Sequence, residues 1–210
     1  MAILQDIFDL TISGKVKQIV PVVQQALDEG NMATTVLDTM IEAMGVVGER
    51  FKNNEIFVPE MLISAKTMKK GVDVLKPHLA GSGSTSRGKI ILGTVAGDLH
   101  DIGKNLVGLM YESAGFEVID LGIDVPKEKF VETYLANPDA KIIALSALLT
   151  TTMPAMQEAV ALLNEQDFRK NIKIMVGGAP VTQEFADEIG ADAYTDDAAS
   201  AAQRATELTA

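Results

Sequence analysis

From Lys89 onward, short apolar runs alternate five times with stretches of helical periodicity, and this alternation limits the fold more than any other feature of the chain. The runs end near Val95, Leu121, Ser146, Val176 and Tyr194. The helical patterns that follow are Lys104–Ala114, Lys127–Ala136, Met153–Asn164, Thr182–Ile189 and Asp197–Leu208. Strands without polar alternation, each followed by a helix, predict a parallel sheet covered on both faces. Right-handed crossovers leave few topologies for such a chain. The expected architecture is α/β, a flavodoxin-like (Rossmann-type) parallel five-stranded sheet in the order 2-1-3-4-5. That order sets the first and third strands side by side, with their helices on opposite faces. The crevice at their carboxyl ends is where such sheets bind ligands.

The chain before Lys89 reads differently. Val16, Ile19, Val20, Val23, Ala26 and Leu27 lie at helical spacing, as do Val36, Leu37, Met40, Ile41, Met44 and Phe51, and again Met61, Leu62, Ala65, Met68, Val72, Leu75 and Leu79. With Ile3 to Ile12 this predicts an N-terminal four-helix bundle. Asn31 and Asn54 are candidate starts for the later helices, and Pro59 suits a first helical turn. Six of the ten methionines lie here. The plain expectation is that they fill the bundle core. The alternative is an adaptable apolar cap over a large flat ligand. Ala80 to Gly88, rich in glycine and serine, reads as a linker. The expected domains are a helical cap at residues 1–86 and an α/β domain at residues 87–210.

Composition removes several function classes. With no cysteine, the chain cannot form disulfides, thiolate-held iron–sulfur or zinc sites, or a cysteine nucleophile. A net charge of −11 and the lack of tryptophan oppose nucleic-acid binding. No apolar run is long enough to span a bilayer, and the acidic N-terminus lacks the basic segment of a secretory signal. A cytoplasmic protein is therefore expected.

The loop after the first strand is Gly97-Asp98-Leu99-His100-Asp101-Ile102-Gly103, and it carries one of only two histidines. The loop after the third strand, Ser146-Ala147-Leu148-Leu149-Thr150-Thr151-Thr152, is rich in hydroxyls. Ser146 stands where a receiver domain needs a phosphoacceptor aspartate. The first loop lacks a glycine-rich phosphate pattern, and its carboxylates would repel phosphate. Hydrolytic metal centres need more histidines than His78 can add. A single neutral imidazole can still be the axial ligand of a metal whose other positions a macrocycle fills. Asp98 would fix its tautomer, with Thr152 or Ser146 donating to Asp98 in turn. Gly103 would let the next helix begin close to the ligand, and Gly177-Gly178-Ala179 would form a wall without bulk. Read singly, His100 is equally a capping or loop histidine, and the glycine pair is more simply a tight turn.

Asp98-Leu99-His100-Asp101-Ile102-Gly103 resembles the Asp-x-His-x-x-Gly signature of cobalamin-binding domains, and Ser146-x-Leu148 and Gly177-Gly178 resemble that family's second and third motifs. The helical half, with Glu49-Arg50-Phe51 and Ile56 to Met61, is similar to the cap domain that precedes this module in cobalamin-dependent methionine synthase. The two-domain extent resembles the corrinoid proteins of anaerobic methyltransferase systems. The resemblance implies cobalamin or a related corrinoid, as methylcobalamin or cob(I)alamin, bound base-off with His100 as the metal ligand on cobalt. Asp98 and Thr152 would complete its hydrogen-bond relay. Asp101, Ile102, Gly103 and Leu148 belong to the same motifs. Ser146, Thr150, Gly177 and Gly178 would line the slot for the displaced nucleotide tail, and Phe57 and Met61 would face the upper side of the corrin. It also implies a methyl carrier rather than a stand-alone catalyst. The carrier would be loaded by a substrate-specific methyltransferase and unloaded by an acceptor methyltransferase using a folate or a thiol, with a reductive activator as a further expected partner. A cobalamin-sensing regulatory module is the alternative, and the absence of a basic surface disfavours it.

Overall fold

The computed structural model describes residues 2–79 and 86–210. The chain divides into two compact units, Met1–Ser86 with Glu112–Gly115, and Arg87–Tyr111 with Phe116–Ala210. Most of the expected linker, residues 80–85, lies outside the described residues. Among the described residues, no helix is long and apolar enough to cross a membrane.

The first unit holds helices α1 (Ala2–Ile12), α2 (Val16–Asp28), α3 (Ala33–Lys52) and α4 (Val58–Leu79). Their buried residues recur at three- and four-residue steps: Ile19, Val23 and Ala26 on α2; Val36, Met40, Ala43, Met44 and Val47 on α3; Met61, Ala65, Met68 and Leu75 on α4. Helix α1 packs on α3 and α2 on α4, while α3 also meets α4. Met40, Met44, Met61 and Met68 are core residues, as the plain expectation had it, and Met32 is exposed. Gly71 admits Met40 to the interior, because a Cβ there would lie 2.3 Å from the methionine methyl. The few buried hydroxyls turn to helix carbonyls, Thr11 to Ile7 at 2.8 Å and Ser64 to Ile12 at 2.9 Å.

Neither Asn31 nor Asn54 starts a helix. Asn31 donates its side-chain amide to the Ala26 carbonyl at 2.9 Å and so closes α2, while Met32 precedes α3 without a side-chain cap. Asn54 sits just beyond α3 with φ at 58°, in the left-handed region that asparagine tolerates. At the head of α4, the Glu60 carboxylate accepts from the Phe57 N–H at 3.0 Å. Asparagine is thus spent on helix ends here, and a glutamate closes the open start.

The second unit alternates β1 (Lys89–Thr94), α5 (Ile102–Ser113), β2 (Glu117–Asp120), α6 (Lys127–Ala136), β3 (Ala140–Ser146), α7 (Met153–Asn164), β4 (Lys173–Gly177), α8 (Gln183–Ile189), β5 (Ala193–Tyr194) and α9 (Ala198–Thr209). All strand pairs are parallel and the order is β2-β1-β3-β4-β5, as expected. The central strands are apolar on both faces because helices cover both. Ile91, Ile143, Leu145 and Ile174 join Phe130, Met156 and Val160 in one core. Helices α8 and α9 begin one residue later than their patterns suggested, since Thr182 and Asp197 are caps. Thr182 accepts from the Phe185 N–H at 3.2 Å and Asp197 from the Ser200 N–H at 2.8 Å. Pairing of β1 with β3 brings Thr94 opposite Ser146, so the two loops that follow start side by side.

Candidate functional site

Between β1 and α5 the chain makes a tight turn. Gly97 takes φ at 80°, and the Asp98 N–H reaches back to the Val95 carbonyl at 3.2 Å. The turn drives the Asp98 side chain inward, where it is fully buried. A buried carboxylate needs donors on every side, and the neighbouring loop supplies most of them. Oδ2 accepts from the Leu148 N–H at 2.7 Å, the Thr152 hydroxyl at 2.8 Å and, at 3.4 Å, the Leu149 N–H. Oδ1 takes the His100 N–H at 3.1 Å and the His100 ring at Nδ1, 2.8 Å away. Burial pushes the Asp98 carboxyl up, but hydrogen bonds from the Leu148 N–H, the His100 ring and N–H, and the Thr152 hydroxyl outweigh it and hold the group well below the usual carboxylate range.

That direction fixes the histidine. An ionised Asp98 can only accept, so the ring nitrogen facing it must carry the proton. In the neutral ring the lone pair then lies on Nε2, and the side chain is 50% exposed. His100 is further held by its carbonyl, which accepts from the buried Thr94 hydroxyl at 3.0 Å. The Thr152 hydroxyl has one proton and two acceptors, Asp98 at 2.8 Å and the Leu149 carbonyl at 2.9 Å.

Among the described residues, no three His, Cys, Asp or Glu side chains gather to hold a metal ion. A metal held at His100 would have to bring most of its coordination sphere with it. The surroundings suit a broad apolar ligand: Leu99, Ile102 and Leu148 are exposed, Ile102 by 85%. A Cβ on Gly103 would meet nothing within 4 Å, so no side chain of the protein requires a glycine there. The space is what a ligand lying close to the start of α5 would use.

Asp101 precedes α5 and accepts from the Asn105 side chain at 3.1 Å. Ser146 ends β3, and its carbonyl accepts from the Val95 N–H at 3.0 Å. Thr150 opens the 3₁₀ turn Thr150–Thr152 and is exposed. Gly177 and Gly178 end β4 beside the same loop, where the Gly177 carbonyl accepts from the Ala147 N–H at 3.2 Å. Gly178 has φ at 131°, and a Cβ there would lie 1.8 Å from the Ala147 carbonyl oxygen. Its first task is thus to let the β3 loop pass. Phe57 and Met61 stand in the helical unit and take no part in the Asp98 network; Phe57 is 63% exposed, while Met61 is buried and offers no surface.

Three features escaped the sequence reading. They are the Thr94 hydroxyl, the Lys104–Asp120 ion pair and Asp124, which accepts from the Gly97 N–H at 2.7 Å. The signal open to reading was the pair of aspartates, with Gly122 and Pro126, in the turn Asp120 to Pro126 at the end of the second strand.

Known proteins resemble this chain over both of its units. Residues 88–204 match the family described as B12 binding domain, and residues 3–76 match a second family of the same description. The chain is 41% identical over 209 residues to dimethylamine corrinoid protein 1 of Methanosarcina acetivorans, covering 99% of this chain and 98% of that protein. A crystal structure of a cobalamin-binding protein from Desulfitobacterium hafniense is similar at a TM-score of 0.82 and 32% identity, covering 98% of both chains. A chain of the methanol:cobalamin methyltransferase complex MtaBC from Methanosarcina barkeri is similar at a TM-score of 0.85 and 28% identity, covering 99% of this chain and 80% of that one. With an Asp-x-His-x-x-Gly loop at the end of β1, its carboxylate and imidazole paired, and family matches over both units, the chain belongs to the B12-binding domain family.

Proposed function

We propose that this chain is a corrinoid methyl carrier. It would accept a methyl group from a substrate-specific methyltransferase and deliver it to a second methyltransferase that serves a folate or thiol acceptor. The observation that carries the reading is the Asp98–His100 pair. A buried, ionised carboxylate puts the ring proton on Nδ1 and leaves Nε2, on a half-exposed side chain, as the metal-binding nitrogen. When bound, the corrinoid supplies a cobalt centre that can take up and give up a methyl group.

The protein's own residues then have separate tasks. His100 would hold cobalt through Nε2. Asp98 raises the basicity of that nitrogen by accepting from Nδ1. Asp98 would keep its hydrogen bond to Nδ1 whether Nε2 holds a metal or a proton. Thr152 can follow by moving its hydroxyl proton between Asp98 and the Leu149 carbonyl, both within hydrogen-bond reach. Asp101, Ile102, Gly103 and Leu148 would contact the cofactor around His100. Ser146, Thr150, Gly177 and Gly178 would line the slot for the displaced tail. Residues 87–210 form the proposed cofactor domain and residues 1–86 the proposed cap, with the exposed Phe57 its candidate contact; Met61, enclosed in the bundle core, is not one. The names of the relatives support a methylated amine or methanol as the methyl source, with the loading partner making the choice. A reductive activator completes the proposed partners, and the proposed location is the cytoplasm.

Reconstitution tests the reading. The purified chain with hydroxocobalamin should hold one corrinoid per chain and show nitrogen hyperfine splitting in the electron paramagnetic resonance spectrum of cobalt(II). His100→Ala should keep some cofactor through the tail slot and lose that splitting. A chain that stays colourless under oxidising and reducing conditions refutes the proposal. So does splitting that persists in His100→Ala when the cofactor's own base carries a distinguishing isotope.

A further inference from the structure

The loop that carries His100 is tied down by the β3 loop through Asp98, but a second loop holds it on both sides of the histidine. This is the segment Asp120 to Pro126, between β2 and α6. It runs beside the end of β1, with Thr94 N–H on the Gly122 carbonyl at 3.0 Å, Val125 N–H on the Thr94 carbonyl at 2.9 Å, and Val95 bridged to Val125. Two of its aspartates reach the histidine loop from there.

Asp124 holds the near side. Its Oδ1 accepts from the Gly97 N–H at 2.7 Å, and its own N–H donates to the Asp98 carbonyl at 3.0 Å. The residue takes φ at 51°, one of two non-glycine residues with positive φ among those described. A left-handed aspartate is costly unless its surroundings define it. Here the conformation lets one residue meet the turn with both its amide and its carboxylate. Asp120 holds the far side. Its Oδ2 takes the ammonium of Lys104, a lysine only 2% exposed on the first turn of α5, while Oδ1 accepts from the Gly122 N–H at 2.8 Å. Lys104 also donates to the Asn105 side chain at 2.7 Å, and Asn105 in turn reaches Asp101 at 3.1 Å. The chain is therefore held at Gly97–Asp98, before the histidine, through its backbone, and after the histidine through the Lys104 side chain, which links on through Asn105 to Asp101. Neither aspartate touches the imidazole.

We propose that Asp124 and the Asp120–Lys104 pair are positioning residues, which set the direction of the Asp98 carboxylate and the His100 ring by clamping the histidine loop at both ends from the β2–α6 loop. The proposal rests on His100 being the cobalt ligand only where it predicts an effect on the loaded protein. The clamp itself is a property of the chain alone.

The test uses full-length variants, first without cofactor and then with hydroxocobalamin. In Asp124→Ala the Gly97 amide should exchange with solvent about tenfold faster, the loss of one hydrogen bond to a charged group at an exposed site. The fraction of reduced cobalt(II) showing nitrogen splitting should fall several-fold. Asp124→Asn keeps an acceptor oxygen and tolerates the left-handed conformation, so it should restore both readings. Asp124→Gly keeps the backbone freedom without the acceptor and should follow the alanine variant. Asp120→Asn should lower the nitrogen-ligated fraction without speeding Gly97 exchange. Unchanged Gly97 exchange in Asp124→Ala overturns the clamp, as does a wild-type nitrogen-ligated fraction in both Asp124→Ala and Asp120→Asn. Splitting that survives in His100→Ala instead overturns the ligand assignment, and the cofactor-free exchange still decides the clamp.

Discussion

Asp98→Asn separates the charge of the site from its shape. The amide keeps one oxygen but replaces the other with a donor, and donors already surround the carboxylate. If the amide oxygen faces the His100 side, its NH₂ group meets the Leu148 N–H, which in the wild type lies 2.7 Å from Oδ2. It also meets Leu149, and only Thr152 can adapt, by turning its proton to the Leu149 carbonyl at 2.9 Å. If the oxygen faces the β3 loop, those contacts survive and the NH₂ group faces His100. It can then donate to Nδ1, 2.8 Å away in the wild type, and only the His100 N–H, at 3.1 Å, is stranded. The second orientation strands fewer donors and should prevail. One unsatisfied donor, together with the loss of charge assistance, costs about 1–3 kcal/mol, read as a fall in urea stability of the cofactor-free chain. The larger effect is on the ring: accepting at Nδ1 moves the proton to Nε2, the nitrogen needed for the metal. Nitrogen-15 spectra of the cofactor-free variant with its ring neutral should show the proton moved from Nδ1 to Nε2. The loaded variant should lose nitrogen splitting, and its cobalt(II)/cobalt(I) midpoint should rise. Ring nitrogens that match the wild type in Asp98→Asn would refute the tautomer argument.

Gly178→Ala should be among the most damaging single substitutions at the site. The added Cβ would lie 1.8 Å from the Ala147 carbonyl oxygen at a φ of 131°, so the loop carrying the Leu148 and Leu149 donors must shift; a loss of at least about 2 kcal/mol in urea unfolding is expected. Acid should act through Asp98. Its folded-state carboxyl titrates below its unfolded value, so its stabilisation is complete above the unfolded carboxylate range, near pH ~4, and is lost as pH falls further. Urea midpoints measured downward from neutral pH should fall more steeply below about pH 4 in the wild type than in Asp98→Asn.

The strand order was legible because the central strands are apolar on both faces and the histidine loop sits within a few residues of a strand end. The pairing of His100 with Asp98 was legible for a related reason: both partners lie within one loop. Thr152 could be reached from the topology, which sets the β1 and β3 loops side by side. Asp120 and Asp124 could not, because their partners are fixed by how the end of β2 lies along β1. Gly178 was legible as part of a glycine pair but not for the Ala147 carbonyl it clears. Asn31 and Asn54 misled because asparagine serves either end of a helix, and the chain alone does not say which.

The burial of Asp98 also bears on how the sheet finds its alignment. The donors to Oδ2 of this carboxylate come from residues 50 to 54 positions later in the chain, while Oδ1 is served locally by His100. They reach it only when β1 and β3 pair with Thr94 opposite Ser146. Both strands are apolar on both faces, so hydrophobicity alone distinguishes poorly between neighbouring alignments. A slip of one residue moves the Leu148 N–H by about 3.3 Å and leaves one oxygen of an enclosed, ionised group without its donors, at a cost of about 1–3 kcal/mol. The same carboxylate that orients the imidazole therefore penalises every misaligned sheet.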